Sequence, residues 1–180
     1  MRILHYPGRL VLAFLLIITS ACTGLPKGVT PIQGFELNRY LGTWYEIARL
    51  DHAFERGLDW VSAEYSLRDD GGIRVVNRGY NTDKQQWKEA IGKAFFVDRT
   101  DVGRLKVSFF GPFYGGYNII ALDENYQYAL IAGPNLNYLW ILSRQPHLSE
   151  EIVDNLIHQA KESGFATEAL IFPAHQTGGS

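Results

Sequence analysis

The sequence predicts an all-β protein in which eight antiparallel strands close into an up-and-down barrel, followed by one C-terminal helix. From residue 35 onward, runs rich in β-branched and aromatic residues alternate with turns at short intervals, a pattern typical of sandwiches and barrels. Eight strands closed on themselves leave no exposed edge, and their interior can hold one small molecule. The 18 glycines and the ten residues each of tyrosine and phenylalanine fit a β-rich chain with many turns.

Size, charge and cysteine content exclude several classes of protein. The 180 residues give room for one domain with its own core. Removing residues 1–21 would take away two arginines and no acidic residue, so the formal net charge would change from −2 to −4. This balance argues against nucleic acid as a partner. The single cysteine, Cys22, excludes an internal disulfide.

Motifs for the common cofactors are absent from the sequence. We find no phosphate-binding glycine loop, no dinucleotide fingerprint and no nucleophile elbow. The five histidines do not fall at the spacing of zinc ligands. We therefore expect neither a cofactor nor a bound metal ion.

Residues 1–21 have the pattern of a secretory signal peptide. Two arginines precede the apolar run 10–18, and the small residues 19–21 lie directly before Cys22. The apolar run is shorter than the roughly 20 residues that cross a bilayer. A permanent transmembrane helix is therefore the poorer interpretation.

The junction at Cys22 is similar to a bacterial lipobox, in which the cysteine becomes the lipidated N-terminus. Thr23 follows the cysteine, whereas an aspartate there retains bacterial lipoproteins in the inner membrane. We therefore expect a lipid anchor on the periplasmic face of the outer membrane. Ordinary signal cleavage that leaves a free thiol is the alternative. Residues 22–34 contain several glycines and prolines and are expected to be the lipidated N-terminus and a tether that holds the domain off the lipid surface.

The predicted domain covers residues 35–175 and is followed by a frayed tail at 176–180. Its predicted strands are residues 42–50, 60–67, 73–81, 87–97, 104–110, 117–123, 128–132 and 138–143. Ser149 is the expected N-cap of the helix and Gly164 its end, with an apolar face between them. Residues 169–172 are expected to return as a short strand.

Four sequence blocks, in order along the chain, resemble the lipocalin family. They are residues 42–49 (GTWYEIAR), 65–72 (YSLRDDGG), 109–118 (FFGPFYGGYN) and 139–144 (LWILSR). Within that family the blocks are most similar to the bacterial outer-membrane lipocalins that resemble apolipoprotein D. The resemblance implies a lipocalin calyx whose C-terminal helix packs outside the barrel. It also implies that Trp44 and Arg144 close one end of the barrel, with the guanidinium over the indole.

Alternation along the strands, phased by this resemblance, places one face of each strand inside the barrel. The expected ligand-binding residues on that face are Ala63, Tyr65, Leu67, Ile73, Val75, Asn77, Ala90, Ala94, Val107, Phe109, Tyr117, Ile119, Ile131, Tyr138 and Trp140. Polar residues such as Arg74, Lys93 and Lys106 fall on the outer face, as this phase requires. Small inward residues favour a cavity; the alternative is that the inward side chains simply pack together.

Two features of the interior are less clear from the sequence. In the first strand, Trp44, Glu46 and Ala48 compete with Tyr45 and Ile47 for the inner face. No lysine or arginine falls on the inward phase, so a charged head group is expected to stay at the wet end of the barrel.

The aromatic stretch 109–117 joins the fifth and sixth predicted strands. The resemblance implies that this connection lies at the open mouth of the barrel. Aromatic side chains beside glycine and proline are expected to be exposed there and to form an adhesive rim for lipid tails or a partner. The alternative is that Phe110 and Phe113 fold back over the barrel.

The resemblance implies a lipid-anchored protein that binds or transports a fatty acid or lysophospholipid in the bacterial envelope for membrane maintenance, without catalytic residues. A structural envelope protein with no ligand is one alternative. A lipid-modifying enzyme is the other, because Asp51, His52 and Glu55 near the mouth could serve acid–base chemistry. Three polar residues on a loop are more often solvated. A homodimer is compatible with the sequence, which leaves the oligomeric state open.

Overall fold

A single antiparallel sheet dominates the structure, a computed structural model that describes residues 23–175. Its strands are β1 (Gly42–Leu50), β2 (Leu58–Leu67), β3 (Ile73–Asn81), β4 (Gln86–Phe96), β5 (Arg104–Ser108), β6 (Gly115–Leu122), β7 (Tyr128–Ala132), β8 (Leu139–Ser143) and β9 (Leu170–Ile171). The helices are α1 (Leu37–Tyr40), α2 (Glu150–Glu162) and a 3₁₀ turn (Thr167–Ala169). The prediction of an eight-stranded antiparallel barrel with one C-terminal helix is confirmed.

The first strand closes the barrel. Strands β2 to β8 pair in sequence order, so that β2 pairs with β3 and so on up to β7 with β8. Strand β1 pairs with β2 through residues 42–45 and with β8 through residues 45–49. The end of β1 also pairs with β9, the short return strand expected from the sequence. Because the strands alternate in direction, the β1–β2, β3–β4, β5–β6 and β7–β8 connections share one end of the barrel, called the mouth below. Helix α1 lies at the opposite, closed end.

A β-bulge in β1 resolves the ambiguity of the first strand. Glu46 lies opposite Leu142 and Arg49 lies opposite Trp140, with a register shift between Glu46 and Ala48. Leu142 and Trp140 are two residues apart and both line the barrel interior. The extra residue therefore brings both Glu46 and Arg49 to the inner face, which no strict alternation would do.

Strand β4 extends beyond its neighbour on one side. It pairs with β3 through residues 86–94, but with β5 only through residues 93–96, because β5 ends at Ser108. The mouth half of β4 consequently has one free edge, and its side chains from residue 86 to 91 are exposed.

Two hydrophobic clusters lie on opposite sides of the barrel wall. The inner cluster fills the closed end around Phe35, Tyr40 and Trp44. The outer cluster lies between the wall and α2, where Leu156 and Ala160 are buried. Helix α2 begins as predicted, since the Ile152 backbone N–H donates to Ser149 Oγ at 3.4 Å.

The expected tether packs against the barrel instead of hanging free. The Ile32 backbone N–H donates to the Ile119 carbonyl and the Gly103 N–H donates to the Ile32 carbonyl, both at 2.9 Å, and Val29 is buried. The predicted signal peptide 1–21, the lipidation of Cys22 and the frayed tail 176–180 lie outside the described residues. Among residues 23–175, no helix is long and apolar enough to cross a membrane.

Candidate functional site

A cavity of about 100 Å³ lies inside the barrel and has a predominantly apolar lining. Most of the inward residues expected from the sequence line it: Ala63, Tyr65, Ile73, Val75, Asn77, Ala94, Val107, Phe109, Tyr117 and Trp140. Further lining residues that the sequence-based set did not include are Phe35, Leu37, Tyr40, Glu46, Phe54, Glu55, Val61, Ser62 and Leu142. Several of these belong to α1 and the β1–β2 loop, which fold inward from the two ends of the barrel, so strand alternation gives no signal for them.

Two of the expected residues lie outside the cavity because the strands extend past the barrel. Leu67 is 58% exposed, since the β1–β2 ladder already ends at Gly42 and Tyr65. Ala90 is exposed on the free edge of β4, although its partner Asn77 on β3 lines the cavity. The sequence-based placement of Leu67 and Ala90 inside the barrel is therefore wrong.

Three others are not among the residues that line the cavity. Ile119 and Ile131 are fully buried in the inner cluster, where they lie opposite each other on β6 and β7. Tyr138 lies just before β8 and is half-buried at the mouth. Its ring stacks with His52 at 5.8 Å and Trp140 at 6.2 Å between centroids.

Three tyrosine hydroxyls meet in the part of the cavity nearest the closed end. The Tyr117 hydroxyl hydrogen-bonds to the Tyr40 hydroxyl at 2.6 Å and to the Tyr65 hydroxyl at 2.9 Å. Burial raises the pKa of all three tyrosines above its usual range, so they stay neutral. Their hydroxyls satisfy one another, which makes this end of the cavity compatible with an apolar ligand.

A buried ion pair occupies the inner face of β1. Arg49 and Glu46 are each 2% exposed, and Arg49 Nη1 lies 2.5 Å from Glu46 Oε1. Arg49 Nη2 donates to the backbone carbonyl of Glu55 at 3.0 Å. The expectation that no arginine faces the interior is wrong, because the bulge turns Arg49 inward. The sequence does contain a sign of this inward arginine, because Glu46 and Arg49 form a charged pair within an otherwise apolar strand.

The β1–β2 loop contributes a second buried carboxylate. Glu55 is 7% exposed and its Oε2 accepts a hydrogen bond from Trp140 Nε1 at 3.0 Å. His52 Nε2 lies 3.1 Å from the same oxygen, and the His52 ring stacks on Phe54 at 4.0 Å between centroids. These contacts fold the loop into the mouth. Polar residues on a loop were expected to be solvated, but His52 and Glu55 are buried. Asp51 is exposed, as expected, and is paired with Arg56.

The protonation of Glu46 depends on its buried surroundings. Burial, and then the facing Glu55, raises the pKa of Glu46 well above its usual value, although Arg49 opposes this shift. Glu46 therefore holds a proton more tightly than an isolated glutamate would. Among residues 23–175, no group of three or more histidine, cysteine, aspartate and glutamate side chains is arranged to hold a metal ion.

The contact that the resemblance implied is present at the closed end. The Arg144 guanidinium lies 4.1 Å from the centroid of the Trp44 ring, and Trp44 is fully buried.

At the mouth, Phe110 and Phe113 of the β5–β6 loop are 81% and 71% exposed, so they do not fold back over the barrel.

Comparison with known proteins identifies the family. The sequence profile of the lipocalin-like domain matches residues 35–175. The chain belongs to the lipocalin family. This lipocalin is 56% identical over 161 residues to the outer membrane lipoprotein Blc of Vibrio cholerae, covering 89% of this chain and 94% of the relative. The outer membrane lipoprotein Blc of Escherichia coli K12 is 52% identical over 172 residues, covering 96% and 97% of the two chains.

More distant proteins share the sequence pattern or the fold of this lipocalin. Apolipoprotein D of Macaca fascicularis is 37% identical over 134 residues, covering 70% of each chain. The structure of insecticyanin from the tobacco hornworm Manduca sexta superposes with a TM-score of 0.69 at 21% identity, covering 86% of this chain and 88% of that one. This structural likeness supports the assignment of the fold.

Proposed function

We propose that this lipocalin binds one acyl chain of a fatty acid or lysophospholipid inside its barrel and carries it within the bacterial envelope, for maintenance of the membrane. The observation that supports this function most directly is the apolar cavity inside the closed barrel. We further propose that a lipid on Cys22 anchors the protein to the periplasmic face of the outer membrane. The names of the Vibrio cholerae and Escherichia coli relatives, both outer membrane lipoproteins, support that location.

The size of the cavity limits how much of a chain it can enclose. Its volume of about 100 Å³ is below the roughly 300–1,000 Å³ of pockets that enclose a drug-sized ligand. A long chain would therefore extend through the mouth past Phe54, which lines the cavity and is 58% exposed, unless lining side chains move apart.

The expected affinity follows from the buried methylenes. Ten of them would contribute about 8 kcal/mol at ~0.8 kcal/mol each, and loss of association entropy would remove about 4 kcal/mol or more. Micromolar affinity corresponds to about −8 kcal/mol. A chain enclosed only in part should bind more weakly than that without polar contacts.

The experiment that tests the function is lipid analysis of the purified protein and of two tryptophan variants. Ala63→Trp places an indole in the cavity, whereas Ala90→Trp places the same indole on the exposed edge of β4. We expect single-chain lipids to co-purify with the wild type and with Ala90→Trp, and to be lost from Ala63→Trp. Trp140 lines the cavity, so its emission should change when lipid is added back.

The alternatives predict different results. A structural envelope protein would carry no lipid in any of the three proteins, and its emission would not respond to added lipid. A lipid-modifying enzyme would convert the added lipid, which the same mass spectrometry would detect as a new product. Equal lipid content in Ala63→Trp and Ala90→Trp would show that the lipid binds outside the cavity.

A further inference from the structure

Three of the polar residues that line the cavity carry a carboxylate or amide oxygen that accepts hydrogen bonds. Glu46, Glu55 and Asn77 all line it, and they are called the acceptor wall below. Asn77 Oδ1 is buried and has no hydrogen-bond partner among the described residues. Within the described part of the chain, no lysine or arginine is among the lining residues.

Among residues 23–175, the arginine beside the acceptor wall is already paired. Arg49 pairs with Glu46 through Nη1, while Nη2 donates to the backbone carbonyl of Glu55 at 3.0 Å and of Leu58 at 3.5 Å. A carboxylate entering the cavity would find no free cation and would face two acidic side chains in a site that is poorly screened. A donor group would find three acceptors.

We propose that the acceptor wall selects acyl ligands whose head group donates hydrogen bonds, an alkylammonium above all, over ligands of the same chain length that end in a carboxylate. This inference rests on the proposed function, because the chain must first occupy the barrel. It narrows that function by naming the chemistry of the head group that reaches the cavity.

Binding of an ammonium should release a proton from the protein. The groups that face Glu46 and Glu55 are Arg49 on the same strand, His52 on the loop, and Tyr65 and Trp140 on β2 and β8. In the empty cavity, a proton on Glu46 relieves its repulsion with Glu55. An ammonium supplies positive charge in its place, so the proton leaves to solvent. The affinity for the amine should therefore rise as pH rises.

Titration calorimetry with decylammonium and decanoate below their micelle concentrations tests the inference, using delipidated wild-type protein. Because the chains match, their apolar contributions cancel. We expect decylammonium to bind about tenfold or more tightly than decanoate, the ratio that one charged hydrogen bond supplies. Titrations in two buffers of different ionisation enthalpy should reveal proton release on amine binding, and the preference should grow as the pH rises.

Three variants assign the preference to the acceptor wall. Glu55→Gln keeps an acceptor for Trp140 but removes the charge. Because one charged hydrogen bond is lost, the preference for decylammonium should fall to about threefold or less. Asn77→Leu should reduce it without touching the ion pair. Glu64→Gln makes the same change on the exposed outer face of β2 and should leave the preference at its wild-type value.

The results separate the inference from the function on which it rests. Decanoate binding as tightly as decylammonium, or a preference unchanged in Glu55→Gln and Asn77→Leu, would overturn the selection by head group while leaving acyl binding intact. Binding of neither amphiphile by a folded wild-type protein would overturn both.

Discussion

Arg144 and Trp44 join the two ends of the chain's barrel segment at its closed end. The Arg144 guanidinium lies 4.1 Å from the Trp44 ring centroid and donates to the backbone carbonyls of Thr43 at 2.9 Å and Arg39 at 2.8 Å. Trp44 Nε1 in turn donates to the Tyr40 carbonyl at 2.8 Å. The pair therefore holds the end of α1 and the start of β1 to the segment that follows β8.

Replacing this arginine should destabilise the barrel. We expect Arg144→Ala to lower the free energy of unfolding by about 1–3 kcal/mol, through loss of the cation–π contact and of the packing of the arginine stem. Arg78→Ala removes an arginine from an exposed ion pair on the outer wall, and should change the free energy of unfolding by less than about 1 kcal/mol. Urea unfolding of both variants measures the difference. Equal midpoints for wild type and Arg144→Ala would contradict the role of this contact.

Stability should fall as pH rises through the range in which Glu46 loses its proton. The pKa of Glu46 is raised in the folded state, so between the unfolded value of about 4.3 and the folded value the native state binds the extra proton. Below the unfolded pKa the stabilisation from this proton is fully present, and above the folded pKa it is lost; in neither range does it change with pH. Between the two pKa values, the free energy of unfolding should decrease by about 1.4 kcal/mol per pH unit.

Glu46→Gln isolates this contribution. Urea unfolding of wild type and Glu46→Gln from pH 5 to pH 8 should show a steeper loss of stability in the wild type. The exposed carboxylates of Asp70 and Asp101 have lowered pKa values and are ionised throughout this range, so they do not interfere. Parallel curves for the two proteins would show that Glu46 does not carry the proton.

The tyrosine cluster should contribute to stability through its central hydroxyl. Tyr117→Phe removes the common partner of Tyr40 and Tyr65, leaving two buried hydroxyls to be satisfied elsewhere. We expect a loss of about 1–3 kcal/mol in the free energy of unfolding. Tyr114→Phe, on the β5–β6 loop, is the matched control. Thermal or urea unfolding that gives the same loss for both would mean that the hydroxyl cluster has no special role.

Cys22→Ser should abolish lipidation without preventing the barrel from folding. The cysteine lies outside the described residues, and residues 23–175 contain no other cysteine that could take its place. We expect the variant to be released from the membrane fraction or retained only by its uncleaved signal. Incorporation of radiolabelled palmitate into wild type and variant measures this. Equal labelling would exclude Cys22 as the acceptor.

Alternation and turn residues were sufficient to predict the barrel, because its strands and hairpins are specified by local sequence. The β3 strand begins and ends where the pattern places it, and Ile73, Val75 and Asn77 all face the cavity. The capping residue Ser149 likewise marks the start of α2. These features depend on periods of two or of 3.6 residues, which the sequence shows directly.

Whether the remaining residues line the cavity depends on where the strands end and where their register shifts. Alternation along a strand does not indicate either. Ala90 has the correct phase, but β5 is too short to cover it. Phe54 and Glu55 belong to a loop that folds inward because Trp140 and His52 contact Glu55. These placements are decided by contacts between distant parts of the chain.

The bulge in β1 makes the polarity of the interior depend on how the strand pairs at one point. The residues before the bulge and those after it alternate between the inner and outer faces in opposite phase. If the same residues paired without the bulge, Arg49 would lie opposite Leu139 on the outer wall, while Glu46 stayed inside. The barrel would then enclose acidic side chains without their counter-ion. The strand pairing at this one point thus sets the charge balance of the interior, with no change in any side chain.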